Sequence, residues 1–116
     1  MQMGAINIIC TELPRSLYFY RELLGLTLVE QQDWFAHLRC GDRDLTLLAV
    51  AKEPNERHRY CQRPGISFDL GVADLPGTLA RLQGCGVVLT PGHEANAKRA
   101  FIEDPDGLVI ELLALK

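Results

Sequence analysis

The chain has 116 residues, of which 47% are hydrophobic and 23% are charged, and its formal net charge is -3. This length suits one domain with a single core, and this composition is typical of a globular protein rather than a disordered chain. No apolar run approaches the roughly 20 residues that a membrane-spanning helix needs, and no secretory leader pattern is present. No basic stripe offers a surface for nucleic acid. We therefore expect a cytoplasmic protein whose partners are small molecules or other proteins.

Four cysteines are far apart in the sequence and form no Cys-x-x-Cys pair. This spacing argues against a structural zinc site and favours free thiols. Cys10, Cys40 and Cys85 have aliphatic neighbours and are expected to be small core residues. Cys61 lies in a charged loop and is expected to be accessible.

In chain order, a strand is predicted over 5–11, followed by a helix that begins after Glu12-Leu13-Pro14 and ends at Gly25. Proline is tolerated in the first helical turn, and glycine is typical just past the end. The apolar residues of this helix recur at helical spacing: Leu17, Tyr20, Leu23 and Leu24. Three strands are predicted over 27–31, 34–40 and 45–50, the last two joined by a turn over 41–44.

The same order then repeats. A strand is predicted over 66–72, Asp74-Leu75-Pro76 precedes a second helix with Leu79, Leu82 and Cys85 on its apolar face, and strands follow over 87–90, 98–103 and 108–113. The acidic turn over 104–107 joins the last two strands, and its Asp, Pro and Gly residues serve turn geometry. The chain thus predicts a βαβββ unit twice: module one over 1–50, a linker over 51–65 and module two over 66–116.

Two segments carry a family resemblance, LPRSLYFYRELLGL over 13–26 and AFIEDPDGLVIEL over 100–112. Together with the duplication, they resemble the vicinal oxygen chelate superfamily, the group of glyoxalase I, extradiol dioxygenases, fosfomycin-modifying enzymes and bleomycin resistance proteins. The resemblance implies an α+β fold in which each module curls its strands into half a barrel, with the site on the concave face. It also implies a homodimer, although a shared fold does not fix the reaction.

Alternation along the strands assigns their faces. Ile6, Ile8 and Cys10 are expected to cover the first helix, and Ile66, Phe68, Leu70 and Val72 the second. Across the first hairpin, Leu38 is expected to pair with Leu47 and Ala36 with Ala49. The polar and aromatic residues predicted to face the cavity and bind a ligand are Asn7, Phe35, His37, Arg39, Ser67, Asp69, Arg99, Phe101 and Glu111.

Catalytic members of the resembled superfamily hold a divalent metal through side chains at four positions, two per module. Counted from the helix starts and acidic turns, these positions are Ala5, Thr46, Ser67 and Glu111. Only Glu111 is a strong ligand, because alanine has no donor and neutral hydroxyls bind zinc, iron or nickel weakly. We therefore expect no resident metal, and leave open magnesium or manganese held mostly by water and substrate.

Glu111 is a single carboxylate in an apolar strand, so it needs a cation, a ligand or water. Arg39, Arg99 or His37 could neutralise it. Asp69 either forms an acid–base pair with Glu111 or makes a salt bridge to Arg63 or Arg99, and the salt bridge is the simpler explanation. His58 and His93 lie in predicted loops and are expected to be exposed. The three aromatic residues Trp34, Phe35 and Phe101 either stack a planar ligand or pack within the protein.

Four functions remain open at this point. The leading prediction is a metal-free homodimer that binds a small molecule, as sequestering resistance proteins do. The first alternative is a metal-dependent lyase, isomerase or dioxygenase whose ligands are displaced to His37, Asp69 and Glu111. The second is metal-free acid–base chemistry by His37 with Glu111 or Asp69. The last is a purely structural or protein-binding role.

Overall fold

The computed structural model describes residues 1–54 and 66–115. The chain divides into two compact units, Met1–Pro54 and Asn55–Lys116. Most of the predicted linker over 51–65, together with Cys61 and His58, lies outside the described residues. None of the helices in the described part has the length and apolar character that crossing a bilayer requires.

The elements of the first unit are β1 (Ile6–Cys10), α1 (Leu13–Leu17), a π-helical continuation (Tyr18–Leu23), β2 (Thr27–Gln31), β3 (Phe35–Cys40) and β4 (Arg43–Ala49). The four strands form one sheet, and α1 packs on β3 and β4. The strand order is β1-β4-β3-β2, in which β1 is parallel to β4 and the other neighbours are antiparallel. The π-helical segment ends at Leu23, and Gly25 follows with a φ of 81°, which suits the αL conformation that is typical just past a helix end.

The core of this unit lies between the helix and one face of the sheet. Ile8 and Cys10 on β1 and Leu45 and Leu47 on β4 are buried, as period-two alternation predicts. Tyr20 is fully buried in the π-helical segment, with its ring packed edge-on against Phe19. The predicted inward face of the sheet is therefore confirmed, except that Ile6 at the strand start is partly exposed.

The predicted pairing across the first hairpin is wrong by two residues. Leu38 pairs with Leu45 rather than Leu47, and Ala36 pairs with Leu47 rather than Ala49. The cause is the turn, which consists of Gly41 and Asp42 alone, because Gly41 adopts a φ of 62°. A shift of two residues keeps every side chain on its predicted face, whereas a shift of one would have inverted them.

The second unit repeats the connectivity with fewer strands. Its elements are β5 (Phe68–Val72), α2 (Leu75–Gly84), β6 (Arg99–Glu103) and β7 (Val109–Ala114). The sheet has the order β5-β7-β6, with β5 parallel to β7 and β6 antiparallel to it. The strand predicted over 87–90 is reduced to one bridge between Leu89 and Ile102, since Gly86 and Gly92 both adopt positive φ and Pro91 has no N–H to donate.

The core of the second unit contains Leu82 from α2 and Ile102, Ile110 and Leu112 from the sheet. Phe68, Leu70 and Val72 are half-buried as expected of the helix-facing row, but Ile66 precedes the strand and is 91% exposed, which corrects its predicted place in that row. The helix is capped at its start, where Asp74 Oδ1 accepts a hydrogen bond from the Gly77 N–H at 3.1 Å.

The acidic turn after β6 is held by its first residue. Asp104 Oδ1 accepts hydrogen bonds from the backbone N–H groups of Asp106 at 2.9 Å and Leu108 at 2.8 Å. Gly107 adopts a φ of 85°, so an L side chain there would be strained. The predicted turn role of these residues is confirmed.

Two of the cysteine predictions are wrong. Cys10 is buried as expected, but Cys40 and Cys85 are exposed. Cys40 is the last residue of β3, next to the hairpin turn, and Cys85 is the cap residue at the end of α2. Aliphatic neighbours in the sequence suggested burial, but a residue at the end of a strand or helix can be exposed even when its neighbours are apolar.

Candidate functional site

The open face of the first sheet carries a row of polar side chains. Strand register aligns Asn7 with Thr46 and Thr46 with His37, so these three residues lie across β1, β4 and β3. The Thr46 hydroxyl donates a hydrogen bond to the Asn7 side-chain oxygen. The next row places Ile9 beside Leu48 and Leu48 beside Phe35, so apolar residues adjoin the polar row.

Beside this row, two predicted ligand-binding residues meet a carboxylate that the sequence analysis did not single out. His37 Nε2 lies 2.8 Å from Asp44 Oδ1, and Arg39 donates to the same oxygen through Nε at 3.1 Å and Nη2 at 3.0 Å. The hydrogen bond from His37, and then that from Arg39, hold the pKa of Asp44 below its ordinary value of 3.8. His37 and Arg39 therefore pair with Asp44 within their own sheet.

The signal for Asp44 was present in the sequence. Asp44 stands two residues before Thr46, so strand alternation places both side chains on the open face. Because the predicted turn extended over 41–44, Asp44 was not assigned to the strand, and its place on the open face was not predicted.

The open face of the second sheet carries Glu111 on its central strand. Register aligns Glu111 with Asp69 on one side and with Phe101 on the other. Arg99 Nη1 lies 3.3 Å from Glu111 Oε1, with the Glu111 side chain 22% exposed and that of Arg99 51% exposed. Of the three partners considered from sequence, Arg99 is the one that pairs with Glu111.

His93 lies beside the Glu111 face. It was expected to be exposed in a loop, but it is half-buried and its ring centroid lies 5.0 Å from that of Phe101. Its neighbour Thr90 is buried, and the Thr90 hydroxyl has no hydrogen-bond partner among residues 1–54 and 66–115. The backbone N–H of Thr90 donates to the Phe101 carbonyl at 2.8 Å, which ties this loop to β6. Turn-rich sequence around Pro91 and Gly92 gave no pattern from which this contact could be predicted.

The remaining predicted residues lie at the margins. Ser67 is exposed just before β5. Trp34 is half-exposed just before β3, with its ring centroid 5.9 Å from that of Phe35 in a tilted arrangement. The other residues predicted to bind a ligand lie on the open face of the sheet of their own unit.

A family model matches residues 2–112 of this chain, the model of the Glyoxalase/Bleomycin resistance protein/Dioxygenase superfamily. The chain belongs to this superfamily. A glutathione transferase FosA from Serratia marcescens is 28% identical over 115 residues, which are 95% of this chain and 78% of that protein. A probable lactoylglutathione lyase from Synechocystis sp. is 30% identical over 117 residues, covering 88% of this chain and 86% of that protein.

Solved structures share the fold of this superfamily member. The fosfomycin resistance protein FosX from Listeria monocytogenes, solved in complex with Mn(II) and sulfate, aligns with a TM-score of 0.75 and 12% identity, over 99% of this chain and 90% of that chain. A lactoylglutathione lyase from Agrobacterium tumefaciens aligns with a TM-score of 0.70 and 17% identity, over 97% of this chain and 92% of that chain. These alignments establish the α+β glyoxalase-type fold.

At Ala5, Thr46, Ser67 and Glu111, the positions that the family resemblance implies for a metal, the side chains do not fit a divalent transition metal. Ala5 has no donor atom, and the Thr46 hydroxyl directs its proton to Asn7. Glu111 is paired with Arg99, whose positive charge competes with a metal ion for the same carboxylate. Across 1–54 and 66–115, no three His, Cys, Asp or Glu side chains come together in a group that could hold a metal ion.

Proposed function

We propose that this protein binds a small amphipathic molecule without the divalent metal of its catalytic relatives, in the manner of a sequestering resistance protein. The ion pair between Glu111 and Arg99 carries the proposal. Among the four predicted metal positions, only Glu111 carries a strong metal donor. Its carboxylate is already paired with the cation of Arg99 in the same sheet. The proposed binding residues are those predicted from sequence, with Asp44 and His93 added by their contacts.

The second sheet supplies the chemistry that such a ligand needs. Glu111 and Asp69 offer carboxylate acceptors in register with each other, while Arg99 offers donors. Phe101 and His93 add aromatic faces against which a planar group can stack. A ligand that combines a planar apolar part with hydrogen-bonding groups fits these side chains.

An NMR screen of small aromatic amphipathic compounds tests the proposal, run with EDTA so that no free divalent ion is present. We expect bound compounds to shift the resonances of Arg99, Phe101 and Glu111. Glu111→Gln should weaken binding by about 10- to 100-fold, because it removes a charged acceptor worth roughly 1.5–3 kcal/mol per hydrogen bond. Asp42→Asn is the matched control, since Asp42 is a fully exposed turn residue. Binding that appears only when Mn²⁺ replaces EDTA contradicts the proposal.

The names of the relatives favour a second candidate, a metal-dependent enzyme that acts on a thiol conjugate. Both curated relatives are named for glutathione chemistry, one as a transferase and one as a lyase. Displaced metal ligands would then be needed, and the sequence suggests His37, Asp69 and Glu111. The hydrogen bond between His37 and Asp44 counts against this ligand set. For this candidate, Glu111→Gln must lose both metal and activity, and unchanged metal content in that variant refutes it.

We also propose that residues 1–116 act as one domain in a cytoplasmic homodimer. The family resemblance supports the dimer, and the composition supports the location. Sedimentation equilibrium of the purified protein tests the assembly, with a mass of twice 12.9 kDa expected and the monomer mass contradicting it.

A further inference from the structure

His37 and Arg39 converge on a single oxygen of Asp44 on the open face of the first sheet. We propose that His37 accepts a proton from a weakly acidic group of a small molecule bound on this face, and that Asp44 is the residue that positions His37. This inference goes beyond ligand binding, because it assigns a proton-transfer step to the first unit.

The hydrogen bond to Asp44 fixes the tautomer of His37. An ionised carboxylate can only accept, so the contact of 2.8 Å requires the imidazole proton to reside on Nε2. The lone pair of the neutral ring then lies on Nδ1, which is the nitrogen available to accept a proton. A carboxylate that holds a histidine in one tautomer plays this positioning role in general-base catalysis.

Arg39 also donates to the positioning carboxylate, through Nε and Nη2 to the oxygen that accepts from His37. The hydrogen bond from His37, and then that from Arg39, lower the pKa of Asp44 and so favour its ionised form. The other charged group aligned with His37 is Glu30 on β2. In the same row, β4 and β1 contribute the uncharged Thr46 and Asn7. When His37 becomes an imidazolium, its new positive charge therefore lies directly against Asp44.

The His37 side chain is 23% exposed, so part of its surface is open to a ligand. In the proposed step the bond between the acidic hydrogen and its heavy atom breaks, the electron pair stays on that heavy atom, and the proton forms a new N–H bond at Nδ1. Return of that proton to the product restores the neutral ring. The step requires no oxidant, reductant or further reactant.

Two measurements on the purified protein test the inference without any ligand. The first is the ¹H NMR signal of the imidazole N–H, which a carboxylate partner shifts downfield and protects from exchange. The second is labelling by diethyl pyrocarbonate at about pH 8, above the ordinary imidazole pKa of about 6.5. The free ring nitrogen attacks a carbonyl carbon of this reagent and releases ethyl carbonate, which decomposes to ethanol and carbon dioxide. Mass spectrometry then locates the label.

We expect a downfield proton and a labelled His37 in the wild type, and loss of the label from that peptide in His37→Gln. Asp44→Asn should lose the downfield signal and slow labelling of His37 several-fold, whereas Asp42→Asn should change neither. Asp42 is the matched control because it lies in the same hairpin and is fully exposed.

The inference is overturned if His37 of the wild type is not labelled, or if its downfield proton is absent. Both measurements use the wild type, so they remain decisive even if Asp44→Asn fails to fold. The inference is also overturned if a folded Asp44→Asn matches the wild type in both measurements. Because no ligand is used, these outcomes are independent of the binding screen. Ligand binding without reactive His37 refutes the proton transfer and leaves the proposed function standing.

Discussion

The two units share a strand connectivity but satisfy the polar groups on their open faces differently. In both, the first strand is parallel to the last, which occupies an inner position of the sheet. In the first unit, polar side chains of the open face form hydrogen bonds with one another. Thr46 donates to Asn7, and Asp44 accepts from His37 and Arg39. The second presents Glu111 with one half-exposed arginine and Asp69 in the adjacent register position. The apolar face that packs on the helix constrains each copy of the fold, while the open face can change its chemistry.

Truncation of one buried leucine in each unit tests whether the two cores are equivalent, and it should change stability more than the other substitutions. Leu47 on β4 and Leu112 on β7 are both buried on inner strands. We expect Leu47→Ala and Leu112→Ala each to lower the free energy of unfolding by about 2–5 kcal/mol, since each removes buried methyl groups and leaves a cavity. Urea denaturation measures both. A loss below about 1 kcal/mol in one variant alone would show that the two cores differ in packing.

The two helix starts provide a smaller contrast. Asp74 accepts a hydrogen bond from the Gly77 N–H, whereas Glu12 at the equivalent position makes no side-chain cap. We expect Asp74→Ala to lower the free energy of unfolding by about 1 kcal/mol. Glu12→Ala should cost less than about 1 kcal/mol, because its contact with Arg15 is an exposed ion pair. Equal losses in the two variants, measured by thermal and urea unfolding, would contradict this account of the caps.

The ion pair on the second sheet is expected to contribute less to stability than to binding. Because Arg99 is half-exposed, its pair with Glu111 should add only about 0–1 kcal/mol to the free energy of unfolding. A double-mutant cycle with Glu111→Gln and Arg99→Gln measures this coupling. A coupling well above 1 kcal/mol would assign the pair a structural role and weaken the case for a binding site.

The smallest effect is the pH dependence of the Asp44 cluster. The folded pKa of Asp44 is lowered first by the hydrogen bond from His37, so its contribution to stability is present above the ordinary value of 3.8 and is lost as the pH falls through the lower folded pKa. The difference in unfolding free energy between wild type and Asp44→Asn should therefore shrink as the solution is acidified below 3.8. A difference that stays constant over this range would contradict the assigned interaction.

The sequence predicted the connectivity and the faces better than the contacts. The period-two pattern assigned Glu111 and His37 to the open faces correctly, because apolar neighbours such as Ile110 and Leu38 are buried. The same alternation places Asp44 on the face of Thr46, but the contact of Asp44 with His37 depends on a turn of two residues rather than the predicted four. The contact between His93 and Phe101 was not predicted. A turn-rich loop has no regular spacing of apolar residues from which the direction of its side chains could be inferred.

The superfamily assignment also followed from particular residues, the segments over 13–26 and 100–112, and the match over 2–112 confirms it. The sequence indicated three candidate partners for Glu111, namely Arg39, Arg99 and His37, and did not distinguish among them. A choice among them requires the relative positions of β6 and β7, where Arg99 lies two positions from Phe101, the register partner of Glu111. Alternation puts both side chains on one face, but only the paired sheet shows that they meet.

We propose that interactions among this chain's own side chains replace the superfamily's metal site. To test this, the purified protein is saturated with Mn²⁺ or Zn²⁺, free ions are removed by gel filtration, and the metal content is measured by elemental analysis alongside Glu111→Gln. We expect far less than one equivalent of either metal per chain, with no difference between wild type and variant. One equivalent in the wild type that is lost in Glu111→Gln would contradict it.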